Sequence, residues 1–308
     1  MNGILNIFKS KGISSYKAVR EVKSILDIKK AGHAGTLDPS ASGVLLVCLG
    51  HATKIVTFLT GLKKHYHAEM ILGISTDSQD SEGKIIERKE VKDDIDEKRI
   101  KRIFQKYEGT ISQIPPMFSA AHYKGERLYC LARKGIEVER NPKKVYIYQL
   151  ELINFNQKKN PVVEFEVVCS KGTYIRTLCD DIGNELGCGA YLSNLVRKKI
   201  GSFNIEDSLS LEELKNDKTL GEKYLITIDS ALKDLDKITV IKDNVKTVLN
   251  GGIISNNQII KIQEGIEIRN GKYVKIFDTQ GNLLSIGIKI RKSRKEIIFK
   301  PIKVFKNI

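Results

Sequence analysis

The chain has 308 residues, 41% of them apolar and 29% charged, so its composition excludes a disordered or fibrous protein and its length suggests about two domains. The 52 Lys and Arg residues exceed the 37 Asp and Glu residues, and the formal charge of +15 suits a polyanionic partner such as a nucleic acid. The longest apolar run, Val44 to Leu49, is far shorter than the ~20 residues of a membrane helix, and the N-terminus resembles no secretion signal, so we expect a cytoplasmic protein without a membrane partner.

The first sixty residues predict two strands separated by a helix and a loop. A strand is expected at Ile4–Phe8, followed by a helix whose first free amides the Ser14 hydroxyl can cap. Glycines punctuate Ala31–Gly43, which predicts a loop. The apolar run that follows is typical of a buried strand, and a short helix is expected to end near Gly61.

Further along the chain, the apolar periodicity alternates between that of strands and that of helices. Alternation from Tyr66 to Leu72 and from Val163 to Cys169 predicts two strands with one buried face each. Helical spacing from Ile100 to Tyr107 and from Ile175 to Leu186 predicts two amphipathic helices. The front part is therefore expected to be an α+β domain with a mainly antiparallel sheet.

The last quarter of the chain differs in texture and in charge. Short Ile- and Val-rich segments are separated by Asn250-Gly251-Gly252, Asn270-Gly271 and Gln280-Gly281, which are hairpin signals. From Lys237 onward there are 15 basic and 5 acidic residues, a net charge of +10, whereas the first 236 residues carry +5. We predict two domains, residues 1–235 and a small all-β domain at residues 236–308.

Asp38 is the residue best placed for chemistry. It lies in the glycine-punctuated loop directly before Pro39, which favours an extended backbone and removes a local hydrogen-bond donor. Such a carboxylate is presented to solvent. A turn aspartate that bonds only to its own backbone is the alternative that the tetrapeptide alone leaves open.

The segment around Asp38, GHAGTLDPSASGVL at residues 32–45, resembles the catalytic signature of the TruB family of pseudouridine synthases, which modify uridine 55 in the T-loop of tRNA. Further stretches resemble the family in the same order along the chain: Lys64-His65-Tyr66, Gly73–Gly83, Pro115–Gly135, Gly172-Thr173-Tyr174-Ile175-Arg176 and Leu192–Phe203. The tail resembles, more loosely, the PUA RNA-binding domain of bacterial members. One departure is Lys9-Ser10-Lys11-Gly12, which lacks the usual proline and predicts a looser turn.

The resemblance implies a pseudouridine synthase fold, with a mainly antiparallel mixed sheet flanked by helices and a PUA-like all-β tail. It also implies three catalytic residues: Asp38, Arg176 that pairs with it and fixes its orientation, and Tyr174 that takes the proton from C5 of the base. Isomerising uridine needs no redox step, and one carboxylate can attack the base, attack the sugar or remove a sugar proton. The sequence does not distinguish these three routes.

Four substrate-binding residues are also implied by the resemblance. Tyr66 would stack on the flipped base, Leu195 would line the pocket opposite it, and His33 would enter the T-loop in place of displaced bases. Lys64 precedes Tyr66 and is expected to contact the RNA. Six basic residues are candidate phosphate contacts: Lys63, Lys64, Arg127, Arg133, Arg197 and Lys198.

No cofactor or metal is expected, because the sequence contains no metal-ligand cluster and no glycine motif for phosphate. The five cysteines include no C-x-x-C pair. The expected partner is the T-arm stem-loop of tRNA, and a monomer suffices to bind it. Two alternatives remain: a non-catalytic RNA-binding or chaperone protein on the same fold, and a carboxylate-based hydrolase with Asp77 or Asp80 as its second acid.

Overall fold

The computed structural model describes residues 1–157, 160–262, 269–291 and 297–306. Within these ranges the front of the chain has fourteen strands: β1 (Gly3–Lys9), β2 (Ala31–Ala34), β3 (Ser42–Leu49), β4 (Lys64–Leu72), β5 (Ile74–Thr76), β6 (Ile85–Arg88), β7 (Gly109–Gln113), β8 (His122–Tyr123), β9 (Glu126–Arg127), β10 (Lys143–Asn156), β11 (Val162–Cys169), β12 (Ala190–Ile200), β13 (Phe203–Asn204) and β14 (Leu209–Ser210). Its helices are α1 (Ser15–Ile25), α2 (Val56–Thr60), α3 (Glu97–Tyr107), α4 (Leu128–Arg133), α5 (Ile175–Leu186), α6 (Leu211–Asn216), α7 (Leu220–Lys223) and α8 (Ile228–Ala231). The tail adds α9 (Val245–Leu249), β15 (Asp236–Val240), β16 (Ile254–Ser255), β17 (Ile259–Ile262), β18 (Tyr273–Phe277), β19 (Leu283–Arg291) and β20 (Ile297–Val304).

Ten of the fourteen front strands form one large mixed sheet in the order β14-β1-β3-β12-β4-β11-β10-β7, with β2 beside β3 and β13 beside β12. The other four form two small hairpins, β5-β6 and β8-β9. Among the described strands of this large sheet, only the pairings β1–β14 and β3–β12 are parallel. The predicted fold class, a mainly antiparallel mixed sheet flanked by helices, is therefore confirmed. Every second residue of β4 is buried, and α3 and α5 contribute to the same apolar core.

The helix signals in the sequence hold in the structure. Ser14 caps α1 by accepting a hydrogen bond from the Lys17 amide. Gly187 follows α5 with a φ of 86°, a left-handed conformation that a residue with a side chain rarely adopts. Leu178 and Ile182 of α5 are fully buried, as the apolar spacing predicts.

The predicted loop at Ala31–Gly43 is only partly a loop. Its first four residues form β2, which pairs antiparallel with the end of β3. The other neighbour of β3 on that side, β12, pairs with it only at Ser42 and Gly43 and leaves the edge beyond free. Four residues with no apolar alternation can still form a strand where such an edge is open.

In the tail, six strands form a second sheet in the order β16-β20-β19-β18-β15-β17. The hairpin prediction is correct at Gln280-Gly281, between β18 and β19. It is wrong at Asn250-Gly251-Gly252, which follows the helix α9. It is also wrong at Asn270-Gly271, because the flanking strands β17 and β18 each pair with β15 in the sheet and not with each other. Glycine after asparagine also ends helices, so the dipeptide alone does not distinguish these turns.

The tail packs directly on the front of the chain. Ile286 and Phe305 belong to the same apolar cluster as residues of β1 and β3, and the Phe58 and Tyr273 rings meet edge to face at 5.0 Å. The Lys54 ammonium also donates to the Val304 carbonyl at 2.6 Å. Removing residues 236–308 would expose this apolar surface, so the tail is better tested by substitution. The division into residues 1–235 and 236–308 stays a prediction.

In the ranges that the structure describes, no helix has both the length and the apolar character needed to span a membrane.

Candidate active site

A cavity of about 360 Å³ opens beside the Asp38 loop, residues 35–41, where β4, β12 and the start of α5 meet. Six of the predicted site residues line it: Asp38, Lys64, Tyr66, Tyr174, Arg176 and Leu195. They come from four separate parts of the chain, so the fold brings together what the sequence separates. His33 is not among the residues that line this cavity.

The backbone on both sides of Asp38 is held by the N-terminal part of the chain. The buried Ser15 hydroxyl donates to the Leu37 carbonyl and accepts from the Leu37 amide, both at 2.9 Å. On the other side, the Gly12 amide donates to the Pro39 carbonyl at 2.8 Å. The Asp38 side chain remains 40% exposed, so the loop presents a fixed carboxylate to the cavity.

Arg176 joins three parts of the site through one guanidinium. Its Nε lies 3.0 Å from Oδ2 of Asp38, the pairing that the resemblance implies. Its Nη1 donates to the Ser78 carbonyl at 3.2 Å and to Asp80 Oδ2 at 3.3 Å, while Nη2 donates to the Phe118 carbonyl at 2.8 Å. The side chain is only 7% exposed. A planar group with five donors can hold one carboxylate against a rigid frame in this way.

Tyr174 is the N-cap residue of α5, and its side chain makes no capping hydrogen bond. Its backbone is held by the buried Gln113 side chain instead. Gln113 Nε2 donates to the Tyr174 carbonyl at 3.1 Å, and the Tyr174 amide donates to Gln113 Oε1 at 3.0 Å. The tyrosine therefore has a fixed main chain at the cavity wall.

Tyr66 and Leu195 lie on neighbouring strands and share the buried face of the sheet. Leu195 pairs with Ala68 and Arg197 pairs with Tyr66, so Tyr66 and Leu195 are diagonal neighbours. Such residues are about 7–8 Å apart, and both side chains line the cavity. Burial raises the pKa of Tyr66, so its hydroxyl keeps its proton at neutral pH.

The prediction that Lys64 contacts phosphate is wrong for its ammonium group. Lys64 is 5% exposed, and its Nζ donates to the carbonyls of Thr60 and Leu62. Burial, followed by the charge of Arg197, lowers the Lys64 pKa to about 8. The Lys64 side chain lines the cavity, and its ammonium is held by carbonyls at the end of α2 and in the turn before β4.

Arg197 is likewise buried, at 1% exposure, so the prediction of a phosphate contact is wrong for it. Its guanidinium donates to the carbonyls of Gly35, Thr36 and Val44, at 2.8 to 3.3 Å. Gly43, at a φ of +108°, lets the chains approach closely, because a Cβ there would lie 2.3 Å from the Arg197 carbonyl. Arg197 therefore holds the backbone of the Asp38 loop through the carbonyls of Gly35 and Thr36.

The other predicted phosphate contacts lie at the surface. Lys63, Arg127 and Arg133 are exposed, and Lys198 is half-buried. The Lys63 ammonium stands 3.7 Å from the centre of the Tyr148 ring. These four stay candidate RNA contacts.

His33 lies on β2, half-buried, with its backbone paired to Val47. Its Nδ1 is buried and has no hydrogen-bond partner in the described part of the protein. Burial, followed by the charge of Arg197, lowers the pKa of His33, which favours a neutral imidazole. A neutral ring is suited to stacking in a nucleic-acid loop, and this role stays a prediction.

The hydrolase alternative gains no support from the acids near Asp38. Asp80 is 8% exposed, and its oxygens accept from Ser78, the Glu82 amide and Arg176. Asp77 is exposed but accepts from the Lys84 amide within its own turn. Among the described residues, no group of three or more His, Cys, Asp or Glu side chains could hold a metal ion.

Lys9 is fully buried next to the Asp38 loop. Its ammonium donates to the carbonyls of Ser10, Ile13 and Pro39 at 3.0, 2.8 and 3.5 Å. Burial, followed by the charge of Arg197, lowers its pKa from 10.5 to about 8. Although the proline of the family turn is missing, Lys9 ties the turn to the loop that carries Asp38.

The unfolding free energy should record this buried lysine through its pH dependence. Below about pH 8, Lys9 binds a proton in both the folded and the unfolded state; between about 8 and 10.5, only the unfolded state keeps it. Folding is therefore favoured as the pH rises through this window. We expect the stability of the wild type relative to Lys9→Met to increase between about pH 7 and about pH 9.5, measured by urea unfolding. A difference that is constant or decreases with pH would contradict this.

Three residues of the site were missed by sequence reasoning: Ser15, Gln113 and the buried Asp80 in its role beside Arg176. Gln113 lies two residues before Pro115, where a stretch that resembles the family begins, yet nothing in its spacing indicates a contact with Tyr174, which is 61 residues away. Ser15 directly follows the capping residue Ser14, and the sequence offers no sign that its hydroxyl has a separate partner. No local pattern could have identified these contacts.

Comparison with protein families matches residues 23–175 to "TruB family pseudouridylate synthase (N terminal domain)" and residues 176–238 to "tRNA pseudouridylate synthase B C-terminal domain". The chain is 42% identical to the tRNA pseudouridine synthase B of Clostridium kluyveri over 305 residues, which cover 99% of this chain and 100% of that protein. It is 45% identical to the tRNA pseudouridine synthase B of Clostridium acetobutylicum over 293 residues, or 95% and 99% of the two chains.

Two solved structures are similar over 99% of this chain and 85% of theirs. One is a Cbf5-Nop10-Gar1 complex, with a TM-score of 0.75 and 28% identity. The other is an H/ACA RNP bound to a substrate RNA containing 2′-deoxyuridine, with a TM-score of 0.74 and 26% identity. Nearly the whole length of the chain therefore has a counterpart in known structures.

Proposed function

The chain belongs to the TruB family of pseudouridylate synthases, and we propose that it isomerises uridine 55 in the T-loop of tRNA to pseudouridine. The reaction breaks the bond between N1 and C1′ and forms one between C5 and C1′. The proton on C5 leaves and N1 gains one, so the atoms balance without a redox partner. The target base must first leave the stack to reach the cavity.

The proposed roles follow from where the side chains lie. Asp38 supplies the carboxylate that acts at the extruded nucleotide, and Arg176 holds it in place. Tyr66 stacks on the base, and Leu195 closes its other side and excludes water. The Tyr174 oxygen accepts the C5 proton and passes its own hydroxyl proton to the solvent at the cavity mouth.

One observation carries this proposal: the 3.0 Å ion pair between Asp38 and Arg176 at the wall of a cavity that Tyr66, Tyr174 and Leu195 also line. A protein that only binds RNA needs an exposed basic surface. It has no need for a carboxylate held at a cavity wall by a buried guanidinium. The alternative of a non-catalytic chaperone therefore explains less of the site.

The test uses a T-arm stem-loop transcribed with uridine that carries tritium at C5. Each conversion removes the C5 hydrogen, so tritium release into water counts pseudouridines formed. The wild type should release one equivalent per stem-loop. The matched control is the same stem-loop with cytidine at position 55, which should release none. Release that does not depend on the target position would contradict the proposal.

The partner that this proposal requires is tRNA, whose T-arm is recognised mainly by shape and backbone contacts. One copy of the chain carries every residue of the proposed site, so we propose a monomer that acts in the cytoplasm, where tRNA is processed.

The basic tail should account for much of the salt dependence of RNA binding. Lys300, Lys303 and Lys306 carry charge on or beside β20, and two of them are exposed. Each phosphate contact that is lost should reduce the slope of log K against log salt by about 0.7–0.9. We expect the triple Gln variant to lose up to about 2.7 units of slope, with an unchanged rate at saturating RNA.

The matched control neutralises three exposed lysines on and beside α6 and α7: Lys215, Lys218 and Lys223. Both variants have the same net charge, so only the position of the lost charge differs. Filter binding of the T-arm at several salt concentrations measures both slopes. Equal losses would show that the tail acts through overall charge and makes no contacts of its own.

A further inference from the structure

The short segment from Gln113 to Phe118 touches the proposed active site at both of its ends. At one end, the Gln113 side chain makes two hydrogen bonds to the backbone of Tyr174. At the other end, the Phe118 carbonyl accepts from Nη2 of Arg176 at 2.8 Å. Tyr174 and Arg176 are two residues apart, so one segment holds both.

The segment is suited to this by its composition. Pro115 and Pro116 lie between the two contacts and restrict the backbone torsions there. Gln113 is the last residue of β7 and pairs with Lys143 of β10, which anchors the segment to the large sheet. The amide side chain is 1% exposed, so its two hydrogen bonds have no competition from water.

Tyr174 occupies the N-cap of α5, a position where helices normally carry a residue whose side chain caps the first turn. Ser, Thr, Asn or Asp at an N-cap stabilises a helix, because its side-chain oxygen accepts a hydrogen bond from a free amide of the first turn. Tyr174 gives up that stabilisation, and the helix start lacks a side-chain cap of its own. Gln113 therefore fixes the backbone of Tyr174, a residue that the proposed reaction requires in place of a capping residue.

We propose that Gln113 is a positioning residue that aligns Tyr174, and with it the start of α5, for the isomerisation step. This inference rests on the proposed function of the same site. It assigns to Gln113 a contribution to turnover and none to RNA affinity, because the amide touches only the protein. The carbonyl and amide of Tyr174 are the atoms through which it acts.

Two substitutions test this. Gln113→Met has a similar length and can make neither hydrogen bond, so the rate at saturating T-arm RNA should fall by about 10- to 100-fold, the cost of a displacement of about 1 Å at a reacting group. KM should stay within about threefold, since RNA contacts are untouched. Matched Gln105→Met, on the exposed face of α3, should change neither value.

Gln113→Glu separates positioning from folding by pH. A protonated carboxyl can donate to the Tyr174 carbonyl and accept from the amide, whereas an ionised one can only accept. Its rate relative to the wild type should therefore fall as the pH rises, while the same ratio for Gln113→Met should not depend on pH. A purely structural role would move the unfolding midpoint without a pH-dependent rate ratio in folded enzyme.

The inference is overturned if both variants keep the wild-type rate, if the loss lies in KM alone, or if the Gln113→Glu rate ratio is independent of pH. Failure of the proposed function is distinct from all three, because the wild type would then form no pseudouridine. Should Gln113→Met not fold, Gln113→Glu decides the question alone.

Discussion

Replacing Asp38 by asparagine is expected to abolish pseudouridine formation and to leave T-arm binding nearly unchanged. Asparagine has the same shape and can still accept a hydrogen bond from Nε of Arg176, but it cannot supply a negative charge or an attacking carboxylate. Loss of such a group lowers the rate by at least about 1,000-fold. Tritium release under single turnover and filter binding of the same RNA measure the two effects.

The fold should tolerate this substitution. Asp38 is 40% exposed, and Arg176 keeps Asp80 and two carbonyls as partners, so no buried charge is left alone. Asp96→Asn provides a matched control, because Asn caps α3 as well as Asp does and the site is remote. Pseudouridine formed by Asp38→Asn at more than a small fraction of the wild-type rate would remove Asp38 from the catalytic role.

A second substitution separates charge from position. Asp38→Glu retains a carboxylate but moves it by one methylene relative to Arg176, while the backbone stays held by Ser15 and Gly12. Because a displacement of about 1 Å can cost about 100-fold, this variant should also be strongly impaired. Full activity of Asp38→Glu would mean that a negative charge suffices wherever it lies.

The sequence predicts those parts of the site that depend on local backbone chemistry. The glycines before Asp38 and the proline after it favour an extended loop that presents the carboxylate. The helix with Tyr174 and Arg176 at its start is set by its own periodicity and by the turn before it. The alternation along β4 places Tyr66 on the buried face. Each of these features requires only a few neighbouring residues.

Burial of charge could not be predicted in this way. Lys64 and Arg197 carry the same charge as Lys63 and Arg127, and all four lie near stretches that resemble the family. Arg197 is distinguished by carbonyls of Gly35, Thr36 and Val44, more than 150 residues away, which come within reach only after β3 and β12 have paired. Lys64 has nearby acceptors at Thr60 and Leu62, but its burial also depends on the pairing of β4 with β11 and β12. A cation is buried where such acceptors converge, and that convergence has no local signal.

Long-range polar contacts escape prediction for the same reason. Asp80 lies 96 residues from Arg176 in the chain, and Gln113 lies 61 residues from Tyr174. Their side chains are ordinary turn and strand residues by local pattern. Only the order of the strands in the sheet brings them to one place, and strand order is the least local property of the fold.

Replacing Arg176 by methionine should have the largest effect on stability as well as a large effect on activity. Asp80 is 8% exposed, and removal of its guanidinium partner leaves a buried carboxylate that has, among the described residues, no positive partner and only the Ser78 hydroxyl and the Glu82 amide as donors, which costs about 3–5 kcal/mol. Asp38 loses the group that orients it, so tritium release should fall by at least about 100-fold. Lys101→Met, which removes an exposed pair with Glu97 on α3, should cost no more than about 1 kcal/mol and leave the rate unchanged.

The double variant Arg176→Met with Asp80→Asn distinguishes the two functions of this arginine. Neutralising Asp80 removes the uncompensated charge, so the double variant should unfold at a higher urea concentration than Arg176→Met alone. The rate should not recover, because Asp38 still lacks its partner. Asp80→Asn in the wild-type background is the control that measures the effect of this substitution alone on stability and rate. If the double variant regained both stability and rate, Arg176 would serve only to balance Asp80, and the 3.0 Å contact with Asp38 would have no part in orienting the carboxylate.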